Sequence, residues 1–171
     1  LARALAQLGY LVIFDSSNAA DDVEGFAEIE PNLYLYRGPE SALHAVPDPL
    51  LWALPYNYDR VAAYPPGTRV VYDWIDDLEV FPYDRAFLQR MHERALASAT
   101  VVASVAGRLH AEARRVRPDA LYLPNGVEYE RFAAADVQPV DDPDLAFLRA
   151  ERPVLGYYGA LAGGFDYDLV D

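Results

Sequence analysis

The stretch RVVYDWIDDLEVFPYDRAFLQRMHERALASATVVAS, residues 69–104, decides the fold class. It opens with a continuous apolar run that leads into acidic residues, which is typical of a strand buried on both faces of a parallel sheet. Residues 84–98 then place apolar side chains at helical spacing, and Asp84 is positioned to cap the helix N-terminus. TVVAS at 100–104 is a second buried strand. Strand, helix and strand at this spacing predict a βαβ unit.

The same alternation extends outward along the chain. Upstream, ARALAQL at 2–8 predicts a helix ended by Gly9, and YLVIFDSS at 10–17 repeats the pattern of a strand buried on both faces with a polar tip. Further elements are predicted in chain order: a turn-rich stretch at 18–31, strands at 32–38 and 50–54, a short helix at 56–64, a helix at 105–116 that Ser104 can cap, and a strand at 120–124. The sequence therefore predicts an α/β protein with a Rossmann-like, doubly wound parallel sheet.

The composition changes after Phe132 to AAADVQPVDDPD, a polar and proline-containing segment. We expect residues 1–140 to form one Rossmann-like domain and residues 141–152 to form a linker. Residues 153–171 then supply the first strand and a glycine-rich loop of a second domain. Because the chain begins with Leu1 inside a helical pattern, we expect it to be a piece of a longer protein whose first strand precedes it.

The charge and the cysteine content exclude several classes of protein. The chain has 171 residues, 14 basic against 27 acidic, and a net charge of -13, which disfavours binding to nucleic acid and to anionic lipid. It has no cysteine, which excludes disulfides and thiolate metal sites. No apolar run has the length needed to span a bilayer. We therefore expect a cytoplasmic protein that contacts a membrane only through parts outside this chain.

Four segments in order resemble the GT-B glycosyltransferases of the large retaining class, often called group 1 or family 4. They are ARALAQLGYLVIF (2–14), RVVYDWIDDLEVF (69–81), ALASATVVASVAGRLHAEARR followed by LYLPNGVEYERF (95–132), and PVLGYYGALAGGFDYDLV (153–170). The third segment resembles the run that ends the N-terminal domain of that family. Two departures are Glu128, where the family pattern has aspartate, and the paired Gly163 and Gly164, where we expect bulkier residues in related bacterial proteins.

The resemblance implies a retaining, metal-independent transferase that moves a sugar from a nucleoside-diphosphate sugar to a saccharide or lipid-linked acceptor. No cofactor is implied besides that donor substrate. The chain would supply the acceptor side of the cleft, and we expect it to be inactive by itself. Two alternatives remain open: a non-catalytic carbohydrate- or nucleotide-binding module, and a GT-B epimerase of nucleotide sugars.

The candidate catalytic residues are acids at the tip of the strand at 69–75, where open α/β sheets bind ligands: Asp73, Asp76 and Asp77, with Glu79 nearby. Such carboxylates are suited to bind acceptor hydroxyls and to help deprotonate the attacking hydroxyl. A hard-cation site and a solvated acidic loop are the alternatives. The DxxDD spacing differs from the DxD of metal-dependent transferases, and no metal site is predicted.

Further candidates line the expected cleft, namely Asp15, Ser104, Asn125 and Gly126, while Gly156, Gly159, Gly163 and Gly164 form a candidate donor phosphate loop. A helix cap at Ser104, an ordinary Asn-Gly turn and a plain strand-to-helix connection are the alternatives. His44, His92 and His110 are widely separated, so they are interpreted as structural. Trp74 and several tyrosines are suited to pack against sugar rings or to fill the core: Tyr10, Tyr34, Tyr36, Tyr56, Tyr58 and Tyr72.

Overall fold

The chain divides by its contacts into two units, Leu1–Gly126 and Val127–Asp171. The computed structural model describes residues 1–16 and 22–133, together with the single residues Pro143, Gly156, Asp166 and Asp168. The predicted linker and the predicted strand at 153–171 lie outside the described residues, apart from those four positions. Gly159, Gly163 and Gly164 lie outside them as well, so the candidate donor loop stays a prediction. In the second unit, a short helix spans Tyr129–Ala133.

A four-stranded sheet in the first unit is parallel throughout. It contains β4 (Leu50–Ala53), β5 (Arg69–Trp74), β6 (Val101–Ser104) and β7 (Leu121–Tyr122), and the strands lie in chain order. Parallel neighbours need crossover connections, and three helices provide them: a 3₁₀ helix at Tyr58–Ala63, α3 at Arg85–Ser98 and α4 at Gly107–Val116. The parallel sheet predicted from the apolar runs is confirmed for these strands.

A second sheet has three strands and mixed directions. It contains β1 (Val12–Asp15), β2 (Gly25–Glu30) and β3 (Leu33–Arg37), in the order β1-β3-β2. β1 pairs parallel to β3, whereas β2 pairs antiparallel to it. The described strands therefore form an α/β fold with two sheets, where the sequence predicted one doubly wound parallel sheet. The remaining helices described in this unit are α1 (Ala2–Gln7), α2 (Glu40–His44) and a short 3₁₀ helix at Leu78–Val80.

β2 lies in the stretch at 18–31 that was predicted to be rich in turns. Its sequence, GFAEIE, contains glycine, alanine and glutamate, which have low strand propensity. The pairing shifts register between Glu28 and Glu30, and the intervening Ile29 is exposed. Pairing with β3 stabilises this strand, and the residues of β2 alone do not reveal that partner.

The main core packs α3 and α4 against the parallel sheet. All residues of β5 from Val70 to Trp74 are buried, as predicted for this strand. In α3, the apolar stripe is confirmed by the burial of Leu88, Ala95 and Leu96. The Asp84 side chain accepts a 2.7 Å hydrogen bond from the Phe87 backbone N–H, which confirms the predicted cap.

Two local predictions about β1 and α4 are wrong. β1 was expected to be buried on both faces, but the Phe14 side chain is 56% exposed. Among the described strands, β1 pairs with β3 along one edge only, so fewer of them cover it. Ser104 does not cap α4, because it lies within β6 and the N-cap position is Ala106. The Ser104 hydroxyl is instead fully buried, 3.5 Å from His110 Nδ1 and 3.5 Å from the Leu121 carbonyl.

Candidate functional site

A cavity of about 560 Å³ opens at the carboxyl end of β5. β5 ends at Trp74, and the chain then passes through an acidic loop with a short 3₁₀ helix at Leu78–Val80 before it enters α3. The N-terminal part of α4 completes the wall. Ligands of open α/β sheets bind at this edge, so the cavity lies where the fold class predicts a site. The lining residues are Trp74, Asp77, Leu78, Glu79, Val80, Arg85, Gln89, His92, Arg108 and Glu112.

Ion pairs form the rim of the cavity. Arg85 pairs with Glu79, and Arg108 pairs with Asp77. Arg108 also lies 3.7 Å from a Glu112 carboxylate oxygen, one helical turn along α4. The hydrogen bond to Asp77 raises the pKa of the Arg108 guanidinium. All five side chains are more than half exposed, and exposed pairs contribute little to stability. Their groups are therefore accessible to a ligand.

Two buried aromatic side chains form the floor. Trp74 and His92 are 3% and 6% exposed, and their ring centroids lie 4.3 Å apart. His92 Nδ1 lies 2.7 Å from the Tyr72 hydroxyl, which is itself buried. Burial lowers the pKa of His92, so the imidazole is neutral at pH 7. The indole Nε1 of Trp74 is buried and has no hydrogen-bond partner within the described ranges 1–16 and 22–133.

Asp73, the first catalytic candidate, does not line this cavity. It alternates along β5 with Tyr72 and Trp74 and therefore points to the other face of the sheet. Its Oδ2 accepts a 2.9 Å hydrogen bond from Trp52 Nε1, whereas its Oδ1 is buried without a partner among the described residues. Burial raises the pKa of Asp73. The structure thus separates Asp73 from the other acids of the DxxDD run.

Asp76 and Asp77 lie together on the exposed loop after β5. The Asp77 backbone N–H donates a 2.8 Å hydrogen bond to Asp76 Oδ1. Only Asp77 lines the cavity, together with Glu79 of the same loop. Of the three candidate catalytic acids, Asp77 is the one that the fold brings to this site.

The candidate cleft residues are distributed over both sheets. Asp15 ends β1 in the mixed sheet, where its carboxylate lies 2.6 Å from Arg60. Ser104 ends β6, and its carbonyl accepts a 2.9 Å hydrogen bond from the Leu123 N–H. Asn125 and Gly126 follow that contact as exposed residues, so they extend from the same carboxyl edge as Ser104. They form no turn, and the interpretation of Asn125-Gly126 as an ordinary turn is therefore wrong.

Five polar residues that line this cavity were not singled out from the sequence for it: Arg85, Gln89, His92, Arg108 and Glu112. His92 was interpreted as structural because the three histidines are far apart in the chain. A helical count along α3 was the available signal, because Arg85, Gln89 and His92 share one face at spacings of four and three. Arg108 and Glu112 have the same four-residue spacing on α4.

A second hollow, of about 420 Å³, lies at the opposite end of β4 and β5. Residues 44–49 and 65–68 line it, directly before the first residues of these two strands. Prolines make up four of its ten lining residues, and its one carboxylate, Asp48, is paired with Arg69 at 3.1 Å. The cavity at the carboxyl end is therefore the better candidate site.

Comparison of the chain with family models, with curated proteins and with solved structures finds no match. Within the described part of the chain, no helix is long and apolar enough to cross a membrane. Over the same residues, no group of three or more histidine, aspartate or glutamate side chains is arranged to hold a metal ion.

Proposed function

We propose that this chain is the acceptor-side domain of a glycosyltransferase of the GT-B type, which transfers a sugar from a nucleoside-diphosphate sugar to a saccharide or lipid-linked acceptor. Two independent lines support the proposal. The sequence resembles that family in four ordered segments. The chain also has a cavity at the carboxyl edge of a parallel sheet, where this fold class binds its ligands.

The observation that carries the proposal is the combination of groups in that cavity. Trp74 and His92 are largely buried, and the part of their rings that lines the cavity is aromatic surface, against which the C–H face of a sugar ring packs. Asp77, Glu79 and Glu112 accept hydrogen bonds from hydroxyl groups, and the arginines of the rim donate them. A sugar ring has an apolar face, which can pack on the aromatic floor, and a periphery of hydroxyls, which can form hydrogen bonds with the charged rim.

In this proposal, Asp77 and Glu79 orient the acceptor. Their carboxylates accept hydrogen bonds from acceptor hydroxyls and hold the attacking oxygen toward the anomeric carbon of the donor. The carboxylate that accepts the hydrogen bond of the attacking hydroxyl takes up its proton as the oxygen attacks. The C–O bond to the acceptor forms while the bond to the diphosphate breaks, and the diphosphate leaves with the negative charge. The donor side of the cleft would stabilise that charge.

Transfer assays with the complete gene product test this proposal. Purified protein is incubated with UDP- and GDP-sugars and saccharide acceptors, and the product and the released nucleoside diphosphate are quantified. We expect transfer by the native protein and a loss of kcat/KM of about 100-fold in Asp77→Asn, because positioned proton acceptors contribute about 10²-fold or more. Glu79→Gln should lower kcat/KM in the same direction.

Asp59→Asn is the matched control. Asp59 is an exposed carboxylate on the 3₁₀ helix after β4 and does not line the cavity. It removes the same charge as Asp77→Asn and should leave kcat/KM unchanged. If the native protein binds saccharides but neither transfers nor hydrolyses any donor, the chain is a carbohydrate-binding module and the transferase proposal is wrong.

A further inference from the structure

One of the two residues that form the floor of the cavity, Trp74, has an indole N–H that lacks an acceptor among the described residues. Trp74 Nε1 is buried and has no partner among the residues that the structure describes. An indole nitrogen only donates, and a buried donor without an acceptor is costly. The other tryptophan, Trp52, has its Nε1 satisfied at 2.9 Å by Asp73 Oδ2. Of the two indoles, Trp74 is the one that lines the cavity and has an unmet hydrogen bond.

His92 is the second residue of the same floor, and its tautomer depends on Tyr72. The Tyr72 hydroxyl lies 2.7 Å from His92 Nδ1, and burial raises the pKa of Tyr72, so the phenol keeps its proton. A phenol that keeps its proton can donate it to Nδ1, and with that assignment the neutral imidazole has its one proton on Nε2. This assignment makes Tyr72 a positioning residue, since it acts on the cavity through the tautomer of His92.

The rim has the opposite hydrogen-bonding character. Asp77, Glu79 and Glu112 are acceptors, and with Arg85 and Arg108 the lining has three carboxylates against two guanidiniums. The chain as a whole has a net charge of -13. The excess of carboxylates in the lining and the negative net charge of the chain both disfavour an anionic group such as a phosphate or a carboxylate. A neutral hydroxyl fits both regions, because its oxygen accepts a hydrogen bond while its proton is donated.

We propose that the cavity binds an uncharged sugar through one hydroxyl oxygen that accepts hydrogen bonds from Trp74 Nε1 and His92 Nε2, while hydroxyls of the same ring donate to the rim carboxylates. This inference rests on the saccharide-binding part of the proposed function and adds which atoms select the ligand. It makes Trp74 and His92 determinants of specificity for a neutral polyol over an anion.

NMR of the indole groups tests the proposal in the unaltered chain. The chain has two tryptophans, so an ¹H–¹⁵N spectrum shows two indole signals. The probes are methyl α-glucoside, methyl α-galactoside, methyl α-mannoside and inorganic phosphate, each titrated separately. We expect at least one glycoside to shift the Trp74 signal while the Trp52 signal stays in place, and phosphate to shift neither. If no glycoside moves the Trp74 signal, or if phosphate alone does, the proposal is wrong.

Two variants separate the hydrogen bond from the aromatic surface. Trp74→Phe keeps a ring but removes the N–H, and we expect it to weaken glycoside binding about three- to tenfold, as is usual for one lost hydrogen bond. Trp52→Phe is the matched control and should bind as tightly as the native chain. The fold of both variants is checked by backbone amide spectra. Equal affinity in the native chain and in a folded Trp74→Phe would overturn the proposal.

The tautomer is measured without any ligand. Histidine ¹⁵N shifts of the native chain should show that His92 has an unprotonated Nδ1 and a protonated Nε2. Tyr72→Phe removes the phenol proton, so His92 should then sample both tautomers and glycoside affinity should fall. A native His92 protonated on Nδ1 contradicts the proposed donor pair.

The outcomes also distinguish this inference from the proposed function. If glycosides shift the backbone amides of the loop at 77–80 without moving the Trp74 signal, saccharide binding stands and the proposed floor contact is wrong. If the Trp74 signal moves but the complete gene product transfers no sugar, the floor contact stands and the transferase proposal is wrong.

Discussion

β1 and β5 have nearly the same sequence pattern and very different surroundings. Both are apolar runs that lead to an aspartate, and both were predicted to be buried on both faces. β5 pairs with β4 and β6 and is covered by helices, and its residues from Val70 to Trp74 are all buried. Among the described strands, β1 pairs with β3 alone, and Phe14 is 56% exposed. An apolar run therefore predicts a strand, whereas its burial depends on how many neighbours the fold supplies.

The aspartates of these two strands differ in the same way. Asp15 at the end of β1 has an ionic partner, since Arg60 lies 2.6 Å away and also contacts Glu40 at 2.7 Å. Asp73 in β5 is buried and accepts a hydrogen bond only from the neutral indole of Trp52 among the described residues. The carboxylate in the better-packed strand is thus the one that is less well compensated.

The largest effect is expected from a comparison of a buried leucine near the parallel sheet with an exposed leucine directly before β1. Leu109 of α4 is 2% exposed and packs in the core against the parallel sheet, whereas Leu11, directly before β1, is 65% exposed. Leu109→Ala should lower the free energy of unfolding by about 3 kcal/mol, because it removes buried methyl groups and leaves a cavity. Leu11→Ala should change it by less than about 0.5 kcal/mol. Urea unfolding followed by circular dichroism measures both, and equal losses would contradict the comparison.

A smaller effect of opposite sign is expected at the two aspartates. Asp73→Asn should raise the free energy of unfolding at pH 7 by about 1 kcal/mol, because the amide oxygen still accepts from Trp52 and no charge is buried. Asp15→Asn should lower it by about 0.5 kcal/mol through loss of the pairing with Arg60. Urea unfolding of the two variants tests this, and a loss of stability in a folded Asp73→Asn would refute the interpretation of Asp73.

The pH dependence of Asp73→Asn follows from the direction of the pKa shift. Burial raises the pKa of Asp73 in the folded state, so the unfolded chain loses this proton at lower pH. Asp73 therefore lowers stability as the pH rises from about 3.9, its unfolded pKa, through its folded pKa. The higher free energy of unfolding of Asp73→Asn relative to the native chain should therefore develop over this pH range and vanish below it.

The smallest expected effect is the contribution of His92 to the pH dependence of stability at mildly acidic pH. Burial lowers the pKa of His92 below 6.5, and Glu112 and Glu93 oppose that shift without reversing it. As the pH falls below 6.5, the unfolded chain takes up a proton before the folded chain does, so the free energy of unfolding should decrease. His92→Gln should show a shallower decrease over the same range. If both proteins have the same pH profile, His92 does not carry this dependence.

Local patterns in the sequence predicted the individual elements well. Asp84 capping α3 and the burial of Leu88, Ala95 and Leu96 are confirmed, because caps and helical stripes depend on residues within four positions of each other. Gly9 has a φ of 91° after α1, as its predicted role at the end of that helix requires. The antiparallel strand β2 was missed because it depends on pairing with β3 rather than on its own residues.

The sequence indicated where in the fold the candidate site lies better than it indicated which residues line it. The acidic loop after β5 was identified because polar residues at the carboxyl end of a parallel strand are a signal that the sequence carries. The sequence did not reveal that Asp77 and Glu79 line a cavity while Asp73 points away from it. It also gave no reason to join His92 with Trp74, which lies 18 positions earlier in the chain.

The sequence by itself determined the α/β alternation, the principal helices and the strand that leads to the site, because those features arise from spacing between near neighbours. The tertiary structure alone decided that the strands form two sheets, that Phe14 is exposed, and that Trp74 and His92 share a cavity floor. These features depend on contacts between distant segments, such as Tyr72 with His92 and Trp52 with Asp73, each about 20 residues apart. Local spacing cannot encode which distant segments meet, because that choice minimises the free energy of the whole packed chain.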